Sequence, residues 1–127
     1  MKCITSIGVV FISLVLFPET GPANSPVFRI AMDFEAPFYS PPTAQLNSGQ
    51  PVQWYNRSGT PHTITHDGCE RGRRCAFESG AILPRGQFSV PSLAPGRYPY
   101  HCSIHPFMRG LLVVSKPSLS PQFSTEL

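Results

Sequence analysis

Residues 100–110 read YHCSIHPFMRG and carry the most informative pattern in this 127-residue chain. They space a thiol, an imidazole and a thioether as Cys-x-x-His-x-x-Met, with Cys102, His105 and Met108 at the three positions. Sulfur ligands favour copper and imidazole also binds it. A site of two His and one Cys with a weak axial Met is the geometry of electron-transfer copper centres. The stretch lacks one imidazole, so we expect a histidine from elsewhere in the chain to complete a copper site.

The missing imidazole is predicted to be His62, which follows Pro61 and lies well before Cys102 in the chain. A loop before a strand of one sheet and a loop between strands of another sheet can meet at one end of a β-sandwich. Taken singly, a histidine before a strand, a buried thiol and a core methionine each have an ordinary structural interpretation. Their joint occurrence at this spacing favours a metal site.

Outside this stretch, short apolar runs alternate with turn residues. The chain contains 15 Pro and 10 Gly, and only 13% of its residues are charged; this mixture favours strands and tight turns over helices. In one run, Val52, Trp54 and Asn56 share a face that is predicted to point inward. The predicted strands are Val27–Met32, Thr43–Leu46, Val52–Asn56, His62–His66, Gly86–Val90, Arg97–Cys102 and Leu111–Val114. We therefore predict an all-β fold, a Greek-key β-sandwich of seven to eight strands.

Two segments between these strands are predicted to lack regular structure. Asp33–Pro42 contains three prolines and no clear period, and Asp67–Arg74 is polar and rich in Gly and Arg. Pro99 lies inside a predicted strand but has no N–H to donate to a ladder, so we expect an edge or a bulge at that position.

The N-terminal residues have the composition of an export signal. Lys2 is followed by the almost wholly apolar segment Ile4–Phe17, and Gly21-Pro22-Ala23 provides small residues for cleavage before Asn24. The apolar segment is short for a membrane span, although an uncleaved anchor is the alternative interpretation. We predict a signal peptide over residues 1–23, one domain over 24–115 and a flexible tail over 116–127. The mature protein is then exported, to the periplasm.

Two segments together resemble a known family. Residues 54–62 read WYNRSGTPH, and residues 96–110 read GRYPYHCSIHPFMRG. Both are similar to the ligand segments of cupredoxins, the type 1 blue copper proteins, of the plastocyanin and amicyanin group. The two residues Pro106 and Phe107 between His105 and Met108 resemble amicyanin more than plastocyanin or azurin, whose loops are longer.

This resemblance implies a role for each ligand. His62 and His105 would be equatorial nitrogen ligands, Cys102 the equatorial thiolate and Met108 the long axial ligand of one copper ion. Asn56 matches the position whose side chain ties the two ligand loops together in the family. The implied function is electron transfer without substrate turnover, in which one electron moves through the Cu(I)/Cu(II) couple between redox protein partners.

The resemblance also implies where electrons would pass. The ring edge of His105, beside Pro106 and Phe107, would reach the surface within a small apolar patch, and such a patch suits weak and fast docking of a partner protein.

Two further cysteines, Cys69 and Cys75, lie within the polar loop after His66. If Cys3 leaves with the signal and Cys102 binds copper, they are the remaining pair, and an exported chain favours a disulfide between them. A second metal or redox site at these two residues is the alternative interpretation.

Two further histidines, His66 and His101, raise the possibility of a second copper site. In multicopper enzymes that resemble this family, a histidine beside the cysteine ligand carries a second copper, so a small copper enzyme is one alternative function. Four histidines are too few for a trinuclear cluster, and we expect His101 to be an exposed surface residue. The other alternative is an exported protein that stores or delivers copper.

The charge pattern limits the kinds of partner. The formal net charge is +3, without the dense basic stripe of a nucleic-acid-binding protein. Arg71, Arg73 and Arg74 form a basic cluster that is either a solvated loop or a surface that steers an anionic partner. We expect a monomer that binds redox proteins, does not bind nucleic acid, has no stable membrane insertion after signal removal and is not an enzyme.

Overall fold

The computed structural model describes residues 25–117, and within them eight strands form two four-stranded sheets. One sheet has the strand order β2-β1-β4-β6, and the other has the order β3-β8-β7-β5. The elements are β1 (Phe28–Met32), β2 (Tyr39–Ser40), β3 (Thr43–Asn47), β4 (Val52–Asn56), β5 (Thr65–His66), α1 (Asp67–Glu70), β6 (Gln87–Val90), β7 (Gly96–His101) and β8 (Arg109–Ser115). β1 and β2 lie in the same sheet, and the strands from β2 to β7 then alternate between the two sheets. The prediction of an all-β sandwich is confirmed.

The two sheets meet around one tryptophan. Val52, Trp54 and Asn56 are buried along β4, as their alternation predicts, while Gln53 and Tyr55 are partly exposed. The Trp54 ring meets the ring of Tyr100 from the opposite sheet edge to face, with centroids 5.5 Å apart. The indole Nε1 also donates a hydrogen bond to the Tyr100 hydroxyl at 3.1 Å. An aromatic pair of this geometry contributes roughly 0.5–1.5 kcal/mol beyond its buried area.

Strands β7 and β8 form the antiparallel hairpin whose connection is the Cys-His-Met stretch. Their ladder runs from Gly96 opposite Val114 to His101 opposite Arg109. Gly110 lies opposite Tyr100, and a Cβ atom at residue 110 would collide with the Tyr100 ring. A glycine here therefore lets the tyrosine pack flat against the backbone at the point where the hairpin enters the loop.

The segment Asp33–Pro42 contains a strand that the pattern did not predict. Tyr39 and Ser40 form β2 and pair antiparallel with β1. The Tyr39 ring is fully buried, and its hydroxyl donates to the carbonyl of Thr63 at 2.8 Å. A strand of two residues is too short to show a period, so this strand depends on tertiary packing.

The predicted strand His62–His66 is shorter than expected. Only Thr65 and His66 pair with β7, and they form β5. His62 instead pairs with Ile82, through a hydrogen bond in each direction between the two backbones (3.1 and 2.7 Å). Because β5 ends opposite Tyr100, Pro99 lies where β7 has no strand partner on that side, which agrees with the expected edge position.

The polar loop after β5 begins with a helical turn that the sequence pattern did not reveal. Residues Asp67–Glu70 form α1, and a disulfide joins Cys69 to Cys75. The predicted disulfide is therefore present, and its sulfurs do not form a second thiolate metal site. A Cβ atom at Gly68 would overlap the Arg74 carbonyl, so this glycine allows the loop to close on itself.

The predicted signal peptide and most of the predicted tail lie outside the described residues. Between residues 25 and 117, no helix has the length and apolar character needed to cross a bilayer.

We predict that removing the disulfide destabilises the fold without unfolding it. Constraining a loop this short stabilises by about 2 kcal/mol on the chain-entropy model. The double substitution Cys69→Ala/Cys75→Ala should lower the free energy of unfolding by about that amount in urea denaturation of the copper-free mature domain. Thiol titration of the denatured, unreduced mature domain should find one free thiol, that of Cys102. Three reactive thiols, or an unchanged urea midpoint, would contradict this assignment.

Candidate metal centre

The loop between β7 and β8 is closed by its own backbone. The Cys102 amide donates to the Met108 carbonyl at 3.1 Å, and the Met108 amide donates to the His105 carbonyl at 2.9 Å. The adjoining strands are in register up to His101 and Arg109, so both ends of the loop are anchored. Seven residues are thereby folded into a compact turn that presents three potential ligands.

His62 lies in the connection between β4 and β5, and its ring reaches Cys102 and His105 of the β7–β8 loop. Its Nδ1 lies 3.9 Å from the Cys102 Sγ and 3.2 Å from the His105 Nδ1, and the His105 Nδ1 lies 3.8 Å from the same sulfur. A triangle with these sides has an area of about 5.6 Å² and a circumradius of about 2.1 Å, close to the 2.0–2.3 Å metal–nitrogen and metal–sulfur distances of zinc sites. The three donor atoms therefore fit a single ion of first-row transition-metal size.

The His62 ring is oriented by a chain of hydrogen bonds behind it. Its Nε2 lies 2.6 Å from the Ser58 hydroxyl, which in turn donates to the Asn56 Oδ1 at 2.8 Å. Since this hydroxyl donates to Asn56, it accepts from Nε2–H, and the tautomer that results leaves Nδ1 free to bind a metal. Such partners behind a ligating histidine fix its orientation and raise its basicity as a ligand.

The protonation of His62 also suits a ligand. Burial lowers the pKa of His62, and the nearby His105 lowers it further. Both effects favour the neutral imidazole, which is the form that binds metals.

The Cys102 side chain is fully buried, and its sulfur accepts a hydrogen bond from the Thr63 amide at 3.3 Å. The Thr63 hydroxyl lies 3.0 Å from the Ser103 hydroxyl and accepts from the Ser103 amide at 2.8 Å. Thr63 follows His62 and Ser103 follows Cys102, so these bonds join the two segments that carry the ligands.

The predicted role of Asn56 as the tie between the two ligand loops is wrong. Its side-chain nitrogen donates to the carbonyls of Thr60 and Ile82, at 2.8 and 3.0 Å, and its oxygen accepts from Ser58. All these partners lie on the His62 side of the site. Thr63 makes the connection that the resemblance assigned to Asn56.

Met108 is buried and lines a cavity of about 170 Å³ together with His62 and His105. The fourth predicted ligand therefore faces the same space as the two imidazoles. The structure brings all four predicted ligands to one end of the sandwich.

Three phenylalanines, Phe34, Phe38 and Phe107, line this cavity, and the exposed Ile104 precedes His105 in the chain. We call these four apolar side chains the apolar rim. Phe34 is 78% exposed and Phe107 is 66% exposed, while His105 is half-buried between the site and the surface. Phe38 packs edge-on against Phe107, with ring centroids 5.1 Å apart. The patch that was expected beside His105 is therefore larger, because the β1–β2 connection adds two phenylalanines.

His101 is not a surface residue, contrary to expectation. It is 4% exposed, and its two ring nitrogens lie 2.6 Å from Asp67 Oδ1 and 2.8 Å from Glu70 Oε1. Burial alone would lower the pKa of His101, but the hydrogen bonds and negative charges of Asp67 and Glu70 outweigh it, so the pKa is raised. The unpredicted turn α1 supplies both carboxylates and covers the imidazole.

His66 and His101 do not form a second copper site. The register places His66 opposite Tyr100 and Thr65 opposite His101, so the two histidines lie on opposite faces of the sheet. His66 packs against Phe77 and Tyr98, and its Nδ1 accepts from the Ala76 amide at 3.1 Å.

The sequence did not predict the roles of Ser58 and Thr63, although Ser58 lies in a recognisable local motif. Ser58 lies two residues after Asn56, and its amide donates to the Asn56 side chain, the arrangement of an Asx turn. Thr63 directly follows His62, but only the fold reveals that it contacts Ser103.

Several known copper proteins are similar to this chain in sequence and in structure. No protein-family model matches the chain. The chain is 33% identical over 97 residues to amicyanin-alpha of Methylorubrum extorquens, which covers 76% of each chain. It is 28% identical over 102 residues to plastocyanin of Prochlorothrix hollandica, covering 76% of this chain and 78% of that protein. A purple cupredoxin from Nitrosopumilus maritimus superposes with a TM-score of 0.59 at 29% identity, over 69% of this chain and 99% of that one.

We predict that Ser58→Ala weakens copper binding. The substitution leaves the His62 Nε2 without its closest partner, and loss of such a partner typically costs about 10- to 100-fold in metal affinity. Competition with a chelator measures the copper affinity of the wild type and the variant. Ser89→Ala, which removes an exposed hydroxyl from strand β6, is the control and should leave the affinity unchanged. Equal affinities for Ser58→Ala and wild type would contradict the assigned role of Ser58.

We predict that Asp67→Asn reduces the acid sensitivity of the copper-free protein. Burial alone would raise the pKa of Asp67, but His101 and Arg109 outweigh it and the pKa is lowered. The carboxylate thus stabilises the fold above its unfolded-state pKa of about 4, and this stabilisation is lost as the pH falls through the lowered pKa. His101 is protonated in both states over this acid range.

Urea denaturation at pH 7 and at acid pH tests the role of Asp67. The variant should be less stable by about 1–3 kcal/mol at pH 7, as expected for hydrogen bonds to charged groups, with a smaller further loss on acidification than wild type. Glu35→Gln, an exposed carboxylate change, should follow the wild-type profile. Parallel acid profiles for wild type and Asp67→Asn would contradict the lowered pKa of Asp67, and equal stability at pH 7 would contradict a stabilising role for its hydrogen bonds.

Proposed function

Because the chain belongs to the amicyanin and plastocyanin group of cupredoxins, we propose that His62, Cys102, His105 and Met108 bind its copper. The protein is a copper-binding electron carrier that moves one electron between redox partners. The observation that supports the ligand set most strongly is the donor triangle of His62, Cys102 and His105, with sides of 3.2, 3.8 and 3.9 Å. The bound copper ion supplies a one-electron Cu(I)/Cu(II) couple.

The protein's contribution is a site that changes little when the charge at its centre changes. Ser58 and Asn56 hold the His62 ring, and Thr63 holds the Cys102 sulfur and the following residue. The closed backbone of the β7–β8 loop restrains His105 and Met108. Groups held in this way need little rearrangement during electron transfer, which keeps the barrier low.

Electrons would enter and leave through His105, the ligand nearest the surface. The apolar rim around it provides a docking surface for a redox protein. Its side chains cover a small area, which suits a short-lived complex. Electron transfer needs such a complex to form and dissociate quickly, so weak apolar docking is an advantage here.

We also propose that the protein is exported to the periplasm and works there as a monomer. Residues 1–23 would be the signal peptide, 24–115 the functional domain and 116–127 a tail. The disulfide between Cys69 and Cys75 supports an oxidising compartment.

Amicyanin and plastocyanin are electron carriers and not enzymes, and we propose the same for this chain. The small copper enzyme considered from the sequence required His66 and His101 to act together, and the register separates them. Storage or delivery of copper has no support from the site, in which Cys102 and Met108 are both buried.

We predict that Cys102→Ser abolishes the intense thiolate-to-copper band in the visible spectrum of the copper-loaded protein. Serine cannot supply the thiolate from which this transition arises. Met108→Leu should keep the band but shift the reduction potential, because the weak axial ligand tunes that potential. Met32→Leu, at a buried position in β1, is the matched control and should change neither property. The proposed ligand set would be wrong if Cys102→Ser kept the wild-type colour and copper stoichiometry.

A further inference from the structure

Four arginines surround a second cavity, on the flank of the sandwich. Arg71, Arg73 and Arg74 come from the loop after α1, and Arg97 comes from β7. All four side chains are exposed, and the cavity they line has a volume of about 350 Å³. His66, Asp67, Gly68 and Pro99 complete its lining. We call this cavity and its four arginines the basic groove.

The two carboxylates of α1, Asp67 and Glu70, are engaged with other partners. Asp67 binds His101 and Arg109, and Glu70 binds His101. Within residues 25–117, none of the four groove arginines forms a salt bridge, whereas Arg57 and Arg109 each do. His101 and Arg109 thus occupy the Asp67 carboxylate that lines the groove, and the four groove arginines lie there without a salt bridge of their own.

The loop that carries three of these arginines is held in one shape. The disulfide between Cys69 and Cys75 closes it, and the Arg73 amide donates to the Gly68 carbonyl at 3.1 Å. Gly72 adopts φ of +62°, a left-handed conformation that glycine accepts without strain. Three guanidinium-bearing residues are therefore presented on a ring whose backbone loses little freedom on binding.

We propose that the basic groove docks a carboxylate-rich surface of a protein partner. Guanidinium groups pair with carboxylates through two parallel hydrogen bonds, and clustered charge accelerates encounter with an oppositely charged protein. The groove involves no copper ligand and lies apart from the apolar rim, so this proposal goes beyond electron transfer at His105. The four arginines are all exposed and are spread around a cavity of about 350 Å³, which suits an extended carboxylate-rich surface better than a single small oxyanion.

Nuclear magnetic resonance titration with a poly-glutamate peptide tests this docking surface on the mature Cu(I)-loaded protein. We expect shifts of the backbone amides concentrated in residues 68–74 and 96–98, and weaker binding as salt is added. The double variant Arg71→Gln/Arg97→Gln should raise the Kd by about fivefold or more, as expected for two exposed charge pairs. The double variant Arg29→Gln/Lys116→Gln loses the same charge from other surfaces and should bind like the wild type.

Several results would overturn the proposal. An equal loss of affinity in both double variants would show that only net charge matters. Shifts centred on the apolar rim would place the contact elsewhere. Inorganic phosphate binding at the groove as tightly as poly-glutamate would assign it to small oxyanions, and equally tight binding of duplex DNA would make it an unselective polyanion surface. Both double variants should retain the colour and reduction potential of the wild type, so failure here is distinct from failure of the copper site.

Discussion

The contacts of Thr63 hold the functional end of this molecule together. Its amide points at the Cys102 sulfur, and its hydroxyl binds Ser103 through both the backbone and the side chain. One ligand segment follows a strand of the first sheet, and the other connects two strands of the second sheet. Without a direct link their separation would vary with every small movement between the sheets. The donor triangle keeps its dimensions because Thr63, which is part of the His62 segment, is hydrogen-bonded to Cys102 and Ser103 of the other segment.

The two faces of β7 perform different tasks. On the inner face Tyr100 packs against Trp54 and leads the chain to Cys102. On the outer face His101 is covered by Asp67 and Glu70 of α1, and the arginines of the following loop form no salt bridge with either carboxylate. Two neighbouring residues of one strand, Tyr100 and His101, thus connect the copper site to the charged flank of the sandwich.

Much of this architecture was predictable because it depends on patterns that extend over several residues. The alternation of Val52, Trp54 and Asn56 predicts the buried face of β4, and the ligand spacing from Cys102 to Met108 predicts one compact loop. What was missed depends on very short elements. Strand β2 has two residues and α1 has four, too few for any period to emerge. The burial of His101 was missed for the same reason, because the turn that covers it was not foreseen. The partners of Asn56 depend on side-chain rotamers, which no spacing encodes.

The backbone pairing of His62 with Ile82, outside any ladder, has a consequence for how the ion is taken up. Two backbone hydrogen bonds hold His62 to Ile82, and the Ser58 hydroxyl holds its ring, so this ligand is fixed by contacts that involve no metal. Cys102 and Met108 are likewise buried and joined by a backbone hydrogen bond. A site whose ligands are already in place is pre-organised, and filling it costs little ordering of the protein. His105 is the most exposed of the four ligands, so its side of the cage is the one by which an ion would enter.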